Sequence, residues 1–491
     1  MEHEMPETYS GIRERLPETY NDLGGSSEEI AYDFEKKCLK AADRTFAQGL
    51  QCQEINSMAA LMSLDDAVFI AHSPQGCVGC TVMAVDMYRV GQAHRGVKYI
   101  RNPHIIVTNL DSDDIVFGGG KKLVQAIHRA EERYAPKLIF IYASCASGMI
   151  GDDLDGIVES EQLNSKAILV PVHCEGFKSK ICASGFDSAF ISISKYILKD
   201  RHVPKIPGLV NLFAPTTVSY KDQLEMERML GQLGLTVNYI PFYGSLESIL
   251  KIPAASASTS ICKVFADEFM IELKRKYGIP YSHTVMPIGV RNTDAWFRGI
   301  AKVAGKEKEA EEIIAREHER ILPLVARIRK RLEGKRVFIC GGTGRSFAAA
   351  ALIDDFGMKL VGLETPTYNQ DAQTDIEYLN GLHKDFVVDV ANMEPFEQVN
   401  IVNRLKPDVF IGVSEWSARF GIPTTHVLDG KRPTMGYDGL LYFGNKMADQ
   451  IENPGFNVKL AAHARLPYKK SWYSEDPFKY IKAAGENTCR K

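Results

Sequence analysis

"HIIVTNLDSDDIVFGGGKKLVQAIHRAEERYAPKLIFIYASCASGMIGDDLDG", residues 104–156, carries in one stretch the pattern that decides the fold. It opens with an apolar run, 104–110, and meets a glycine turn at 118–120. An amphipathic segment follows to Ala135, with Leu123, Ile127 and Ala130 on one helical face. A second apolar run, 137–144, lacks polar alternation, as a strand covered on both faces should. Strand, crossover helix and strand predict a parallel sheet with right-handed connections.

The alternation extends outward. "AILVPVHC" (167–174) reads as the next strand, and "KDRHVPKIPG" (199–208), with two prolines and a glycine, as a linker. "LVNLFAP" (209–215) starts a second unit, which runs through a helix over 222–234, the strand "LTVNYIPF" and a long helix over 262–277. After a charged helical stretch (305–334), "KRVFICGGTGRSFAAAALIDDFGMKLVG" (335–362) opens a third unit as strand, glycine turn, helix and strand. Later strands are expected at 385–390, 408–414 and 425–429. The fold class is α/β, with three Rossmann-like domains built on parallel sheets. The expected division is an N-terminal arm (1–50) with short helices around Ser27–Ala47, domains over 51–205 and 206–330, and a third domain with a C-terminal tail over 331–491.

The bulk numbers narrow the function. A chain of 491 residues exceeds a single core. Lys and Arg number 59 against 62 Asp and Glu, a net charge of −3, which argues against nucleic acid or an anionic membrane as the main partner. The opening "MEHEMPETYS" is polar and acidic, unlike a secretory leader. No run of about 18 apolar residues predicts a membrane span. A cytoplasmic location is expected.

Ten cysteines are present, and in a cytosolic chain disulfides are not expected. Several lie where ligands gather in α/β sheets, at strand tips and helix starts: Cys77, Cys145, Cys174 and Cys262. Cys77 and Cys80 form a C-x-x-C pair. A structural zinc site wants a second close pair, which the chain lacks. A thioredoxin-like reading competes with the other strand-tip cysteines. Iron–sulfur ligation accepts ligands from distant loops, so Cys52, Cys77 and Cys145 form one candidate set. The alternative is a scatter of unrelated buried thiols, and spacing leaves both open. "GGTGRS" (341–346) is a weak match to a nucleotide turn, which could instead offer backbone N–H groups and Arg345 to a buried anion.

Several motifs in order resemble the α-subunit of nitrogenase component 1 and its relatives over about 50–450: "SPQGC", "DSDDIVFGGGKKL", "CASGMIGDDLDGI", "PVHCEGF", "KYGIP" and "GYDG". The resemblance implies that Cys52, Cys77 and Cys145 are the ligands of an [8Fe–7S] P-cluster shared with a homologous β-type subunit. Fifteen residues separate Cys262 from the glycine of "KYGIP", and nine separate His426 from "GYDG". The resemblance makes these two residues the ligands of a large nitrogenase-cofactor-like Fe–S cluster. It further implies an α2β2 heterotetramer and an ATP-dependent [4Fe–4S] iron protein as electron donor. Cys80 matches no family ligand.

The chain departs from nitrogenase around that cofactor. After "CEGF" a nitrogenase carries a glutamine and then a histidine; here the positions read Cys182 and Phe186. An arginine expected after the P-cluster turn reads Val85, the third unit's turn keeps only Arg345, and "SEWSARFGIP" (414–423) lacks the homocitrate-anchoring lysine. Phenylalanine relays no proton. Keeping Cys262 and His426 while losing the proton relay is most similar to the methylthio-alkane reductases. The resemblance then implies an iron-only cluster and reductive C–S cleavage: 2-methylthioethanol to ethylene and methanethiol, dimethyl sulfide to methane and methanethiol. Cys182, Phe186, Arg345 and Glu175 are the expected pocket residues. Two alternatives stand beside this one: an unusual nitrogenase, with His173 or His283 as proton donor, and a non-catalytic scaffold for cofactor assembly.

Overall fold

The computed structural model describes residues 19–40, 52–79, 81–179, 181–199, 201–262, 264–282, 285–384, 386–391, 394–412 and 417–481. Thirteen strands are described: β1 (Leu23–Ser26), β2 (Ala67–His72), β3 (His104–Val107), β4 (Leu138–Ala143), β5 (Ile168–Val172), β6 (Leu209–Ala214), β7 (Thr236–Pro241), β8 (Ala257–Ser260), β9 (Arg336–Cys340), β10 (Lys359–Thr365), β11 (Val387–Val390), β12 (Val409–Gly412) and β13 (Thr424–Thr425). They form three sheets, ordered β3-β2-β4-β5, β7-β6-β8 and β1-β11-β10-β9-β12-β13. Every pairing is parallel except that of β1 with β11. The α/β class with parallel sheets is therefore as expected.

The quoted stretch folds as its pattern predicts. β4 is buried along its whole length, as is β2 beside it, because helices cover both faces of the sheet. The helix Gly120–Tyr134 buries Leu123, Ala126, Ile127 and Ala130 against this sheet. Among the described residues, no helix is long and apolar enough to cross a membrane.

Four expectations need correction. Part of the N-terminal arm is not separate: β1 pairs with β11 from Leu23↔Val390 to Ser26↔Val387 and closes the edge of the third sheet. Its helix, Ser27–Glu35, is capped by Ser26 and Glu29; residues 36–40 are not helical, and the rest of the expected stretch, 41–47, lies outside the described residues. The helix expected from 262 starts only at Asp267, and the small-residue stretch before it is β8. Small Ala, Ser and Thr side chains let β8 pair with β6 in a fully buried layer, where the Ser260 hydroxyl donates to the Phe213 carbonyl at 3.4 Å. The strand expected at 425–429 stops at Thr425, because Leu428 takes a left-handed backbone (φ 57°) that ends any extended run. Finally, Cys38 is disulfide-bonded, where no disulfide was expected.

Several contacts place the elements that carry the candidate site. The helices Gln53–Leu61 and Ser184–Ser192 cross backbone to backbone at Gly185, where a Cβ would stand 2.2 Å from the Gln53 carbonyl oxygen. Asp222, fully buried, accepts from the amides of Thr434 (2.7 Å) and Met435 (2.8 Å) and from the Ser219 hydroxyl (2.7 Å). The Gly430 amide donates to the Thr217 carbonyl at 2.8 Å. The segment after His426 is thus tied to the second sheet's helix Tyr220–Gln232 and to the loop before it.

Replacing Gly185 with alanine forces a methyl onto that carbonyl. We expect a loss of about 1–3 kcal/mol, read as a lower urea midpoint. Asp222→Ala strands two buried amides at a cost of about 2–4 kcal/mol. Hydrogen exchange at Thr434 and Met435 should then quicken by about a hundredfold; unchanged exchange would remove Asp222 from this role.

Candidate metal centre

Two side-chain groups are built on these sheets. The first gathers Cys52, Cys77 and Cys145. Cys52 precedes the helix Gln53–Leu61, and Cys77 sits in the short helix Gln75–Gly79 just beyond β2. Cys145 opens the helix Cys145–Ile150 beyond β4, and Ser144 caps that helix by accepting from the Ser147 amide. Gly176 lets two of these residues approach: a Cβ there would lie 3.2 Å from the Cys145 Sγ and 3.4 Å from the Cys52 Cβ. All three cysteines are free and half-buried.

Burial and then the Glu54 carboxylate push the Cys77 thiol up to about 12, while burial raises Cys52. Burial pushes Glu54 up to about 7, with Cys77 and Ser73 working against it. Without a cationic partner these thiols hold their protons; a bound metal would reverse that field and deprotonate them. Around them lies an apolar rim, with Phe117 86%, Met149 77%, Val116 72% and Val82 69% exposed. The helix Ser112–Phe117 packs against the Cys145 helix, so the rim is continuous with the thiols. Exposed apolar faces of this kind mark contact surfaces.

The second group lines a cavity of about 200 Å³ where the three sheets meet. Asn56, Cys182 and Phe186 come from the first sheet's side, Thr217 and Cys262 from the second, and Arg345 and His426 from the third. Ser260 shapes the turn at Cys262: its hydroxyl donates to the Cys262 carbonyl at 2.9 Å, and the Cys262 amide reaches that hydroxyl at 3.2 Å. Phe186 stands edge-on to Phe265 at 5.0 Å between ring centroids. Arg345 lies in the first turn of the helix Thr343–Asp355 and donates to Thr217 Oγ1 at 3.4 Å.

The electrostatics of this cavity suit metal ligation. Burial, then the Arg345 guanidinium, holds His426 down at about 4, so the ring is neutral near pH 7. Its Nδ1 lies 2.8 Å from the Val427 carbonyl, which only an N–H can satisfy, so the lone pair sits on Nε2. Burial lowers Arg345, which Cys262 and Asp429 partly offset. Burial pushes Cys182 up to about 11, while the Asn56 amide works against it and Cys52 adds to it.

The sequence-predicted residues thus separate into a three-cysteine group and a cavity group of Cys182, Phe186, Cys262, Arg345 and His426. Glu175 was expected in the pocket and is not there. It lies under Gly148, in the Cys145 helix, and pairs with Lys178 at 2.6 Å, because the turn after β5 directs it toward the cysteines. His173 also lies outside the cavity, 3.1 Å from Asp155. Cys80 and His283 fall outside the described residues. Asn56, Thr217 and Glu54 went unnoticed in the sequence. Only Asn56 carried a signal: it follows Cys52 by one helical turn on the same face.

Comparison with known proteins agrees with this architecture. The profile of the family described as Nitrogenase component 1 type Oxidoreductase matches residues 52–452. The nitrogenase iron-molybdenum cofactor biosynthesis protein NifE of Methanococcus maripaludis is 26% identical over 412 residues, covering 82% of this chain and 83% of that protein. The nitrogenase molybdenum-iron protein alpha chain of Methanococcus maripaludis is 25% identical over 410 residues, covering 81% and 85%. The solved structure "Nitrogenase Cp1 at pH 5" superposes with a TM-score of 0.71 at 21% identity, over 88% of this chain and 93% of that one. With the profile spanning most of its length, the chain belongs to the nitrogenase component 1 type oxidoreductase family.

Proposed function

We propose that this chain is the catalytic subunit of a nitrogenase-like reductase that cleaves C–S bonds of methylthio-alkanes. The observation that carries the reading is the cavity: Cys262 and His426 line it together, beside Phe186. Thiolate and neutral imidazole are soft donors of the kind that hold iron–sulfur clusters. Among the described residues no three ligating side chains come close enough to hold a single metal ion, so these widely set donors suit a polynuclear cluster. When bound, such a cluster supplies low-potential electrons to substrate.

The chain's own residues would then do the following. Cys262 and His426 hold the cluster from the second and third sheets. Arg345 offsets the negative charge of thiolates and sulfides in a low-dielectric cavity. Phe186 and Phe265 present an apolar wall that fits a methylthio group and excludes water. Overall, 2-methylthioethanol takes up two electrons and two protons to give ethylene, methanethiol and water; dimethyl sulfide likewise gives methane and methanethiol. Cys52, Cys77 and Cys145 would hold an [8Fe–7S] cluster completed by a homologous β-type subunit seated on the apolar rim. An ATP-dependent iron protein would feed electrons to it, in an α2β2 assembly located in the cytoplasm.

A second reading is a non-catalytic scaffold for cofactor assembly, favoured by the similarity to cofactor biosynthesis proteins. One experiment separates them. The anaerobically purified complex is assayed with iron protein, ATP and 2-methylthioethanol, and separately for cluster transfer to an apo-nitrogenase. We expect ethylene and methanethiol in equal amounts, with no transfer. Cys262→Ala should abolish the products and remove about half of the iron. Phe186→His, which places a polar ring in the apolar wall, should lower the rate by about tenfold or more. Cluster transfer without products would replace the reductase by the scaffold.

A further inference from the structure

We propose that Cys182 is a third protein ligand to the cluster held in the cavity, so that each sheet contributes one soft donor: Cys182, Cys262 and His426. The inference rests on the reading above that the cavity holds a cluster, and adds to it a ligand from the remaining wall.

Three observations carry it. First, Cys182 lines the same cavity as Cys262 and His426, whereas the buried Cys174 and Cys340 do not. Those two behave as structural thiols: the Cys174 Sγ donates to the Ala143 carbonyl at 3.4 Å, and the Gln398 amide meets the Cys340 Sγ at 3.3 Å. Second, Cys182 is rigidly placed. Its carbonyl accepts from the Gly185 amide at 3.1 Å, and Gly185 seats the helix Ser184–Ser192 directly on the helix Gln53–Leu61. Third, Asn56 from that second helix lines the same cavity and carries an amide that could meet the sulfur. An N–H donor aimed at a cysteine sulfur favours the thiolate and is a recurring outer contact of cluster ligands.

The cavity's charges permit the ligation. Arg345 is the one arginine or lysine among the described lining residues, and Asp371 the one carboxylate. Two thiolates would face a cationic cluster core and one guanidinium, and Asp371 is exposed to solvent, so no buried charge is left stranded. On binding, the Sγ–H bond of Cys182 breaks, its proton passes to solvent, and an iron–sulfur bond forms without change of oxidation state.

The test uses the anaerobically purified holoprotein and its Cys182→Ala, Cys182→Ser and Cys262→Ala variants. Iron loss to a chelator and the electron paramagnetic resonance spectrum are the readouts. Cys182→Ala should lose cavity iron about tenfold faster than the parent and show a shifted signal, with Cys182→Ser between them because its oxygen can still ligate. Rates within twofold and an unchanged signal for Cys182→Ala would overturn the assignment. Cys262→Ala is the separate control: iron unchanged there overturns the cluster reading itself. Should Cys182→Ala not fold, the parent decides by N-ethylmaleimide labelling with peptide mass spectrometry. Labelling of Cys182 only after iron removal supports ligation; equal labelling before and after overturns it.

Discussion

A tight constraint on the candidate site is the crossing of two helices at Gly185, where no side chain fits between one backbone and the next. The helix Gln53–Leu61 has Cys52 at its start and Asn56, Ala59 and Ala60 along the cavity wall. The helix Ser184–Ser192 brings Cys182 and Phe186 to that same wall. Because the crossing is this tight, the three-cysteine group and the cavity share one rigid element. A displacement at either end of that helix is felt at the other, since packed interiors transmit strain rather than absorb it.

The cavity itself depends on three sheets that stop short of one another. Parallel strands end at a common edge, and their loops must then supply whatever fills the space between sheets. Here the loops supply glycines and threonines close to the backbone, with Met286, Phe186 and Phe265 as the bulk. Such a wall cannot solvate a free ion. It can enclose a charged body whose polar atoms are internal and whose surface meets one guanidinium and a few soft donors. Arg345 is costly to bury alone, and its place beside Cys262 and Asp429 makes sense when thiolate charge is present to oppose it.

Much of this was legible in the sequence, for a physical reason. Buried parallel strands read as unbroken apolar runs, so β4, β5, β6 and β9 stand out, and the tips of β4 and β5 locate Cys145 and Cys174. What escaped notice depends on tertiary partners. β8 is a strand only because β6 lies beside it; its Ala-Ser-Thr-Ser sequence carries no hydrophobic signal. β1 is added from the N-terminal arm by pairing with β11, a contact spanning the chain. Glu175 follows a strand tip as the cavity residues do, yet the direction of its turn sends it to the cysteines, and turn direction has no one-letter signature.

The two groups differ in how complete they are, and the difference bears on assembly. This chain lines the cavity from all three sheets, while the three cysteines lie half-exposed amid an apolar rim. A thiolate set facing water would be open to oxidation and would give a cluster few fixed neighbours. Covering that rim removes apolar surface from water at roughly 25 cal/mol per Å², and it completes the ligand shell in the same step. Metal binding and subunit association then favour one another, since each stabilises the state the other requires. Cys52 starts the helix whose next turn faces the cavity, so that coupling reaches the second site through one rigid element.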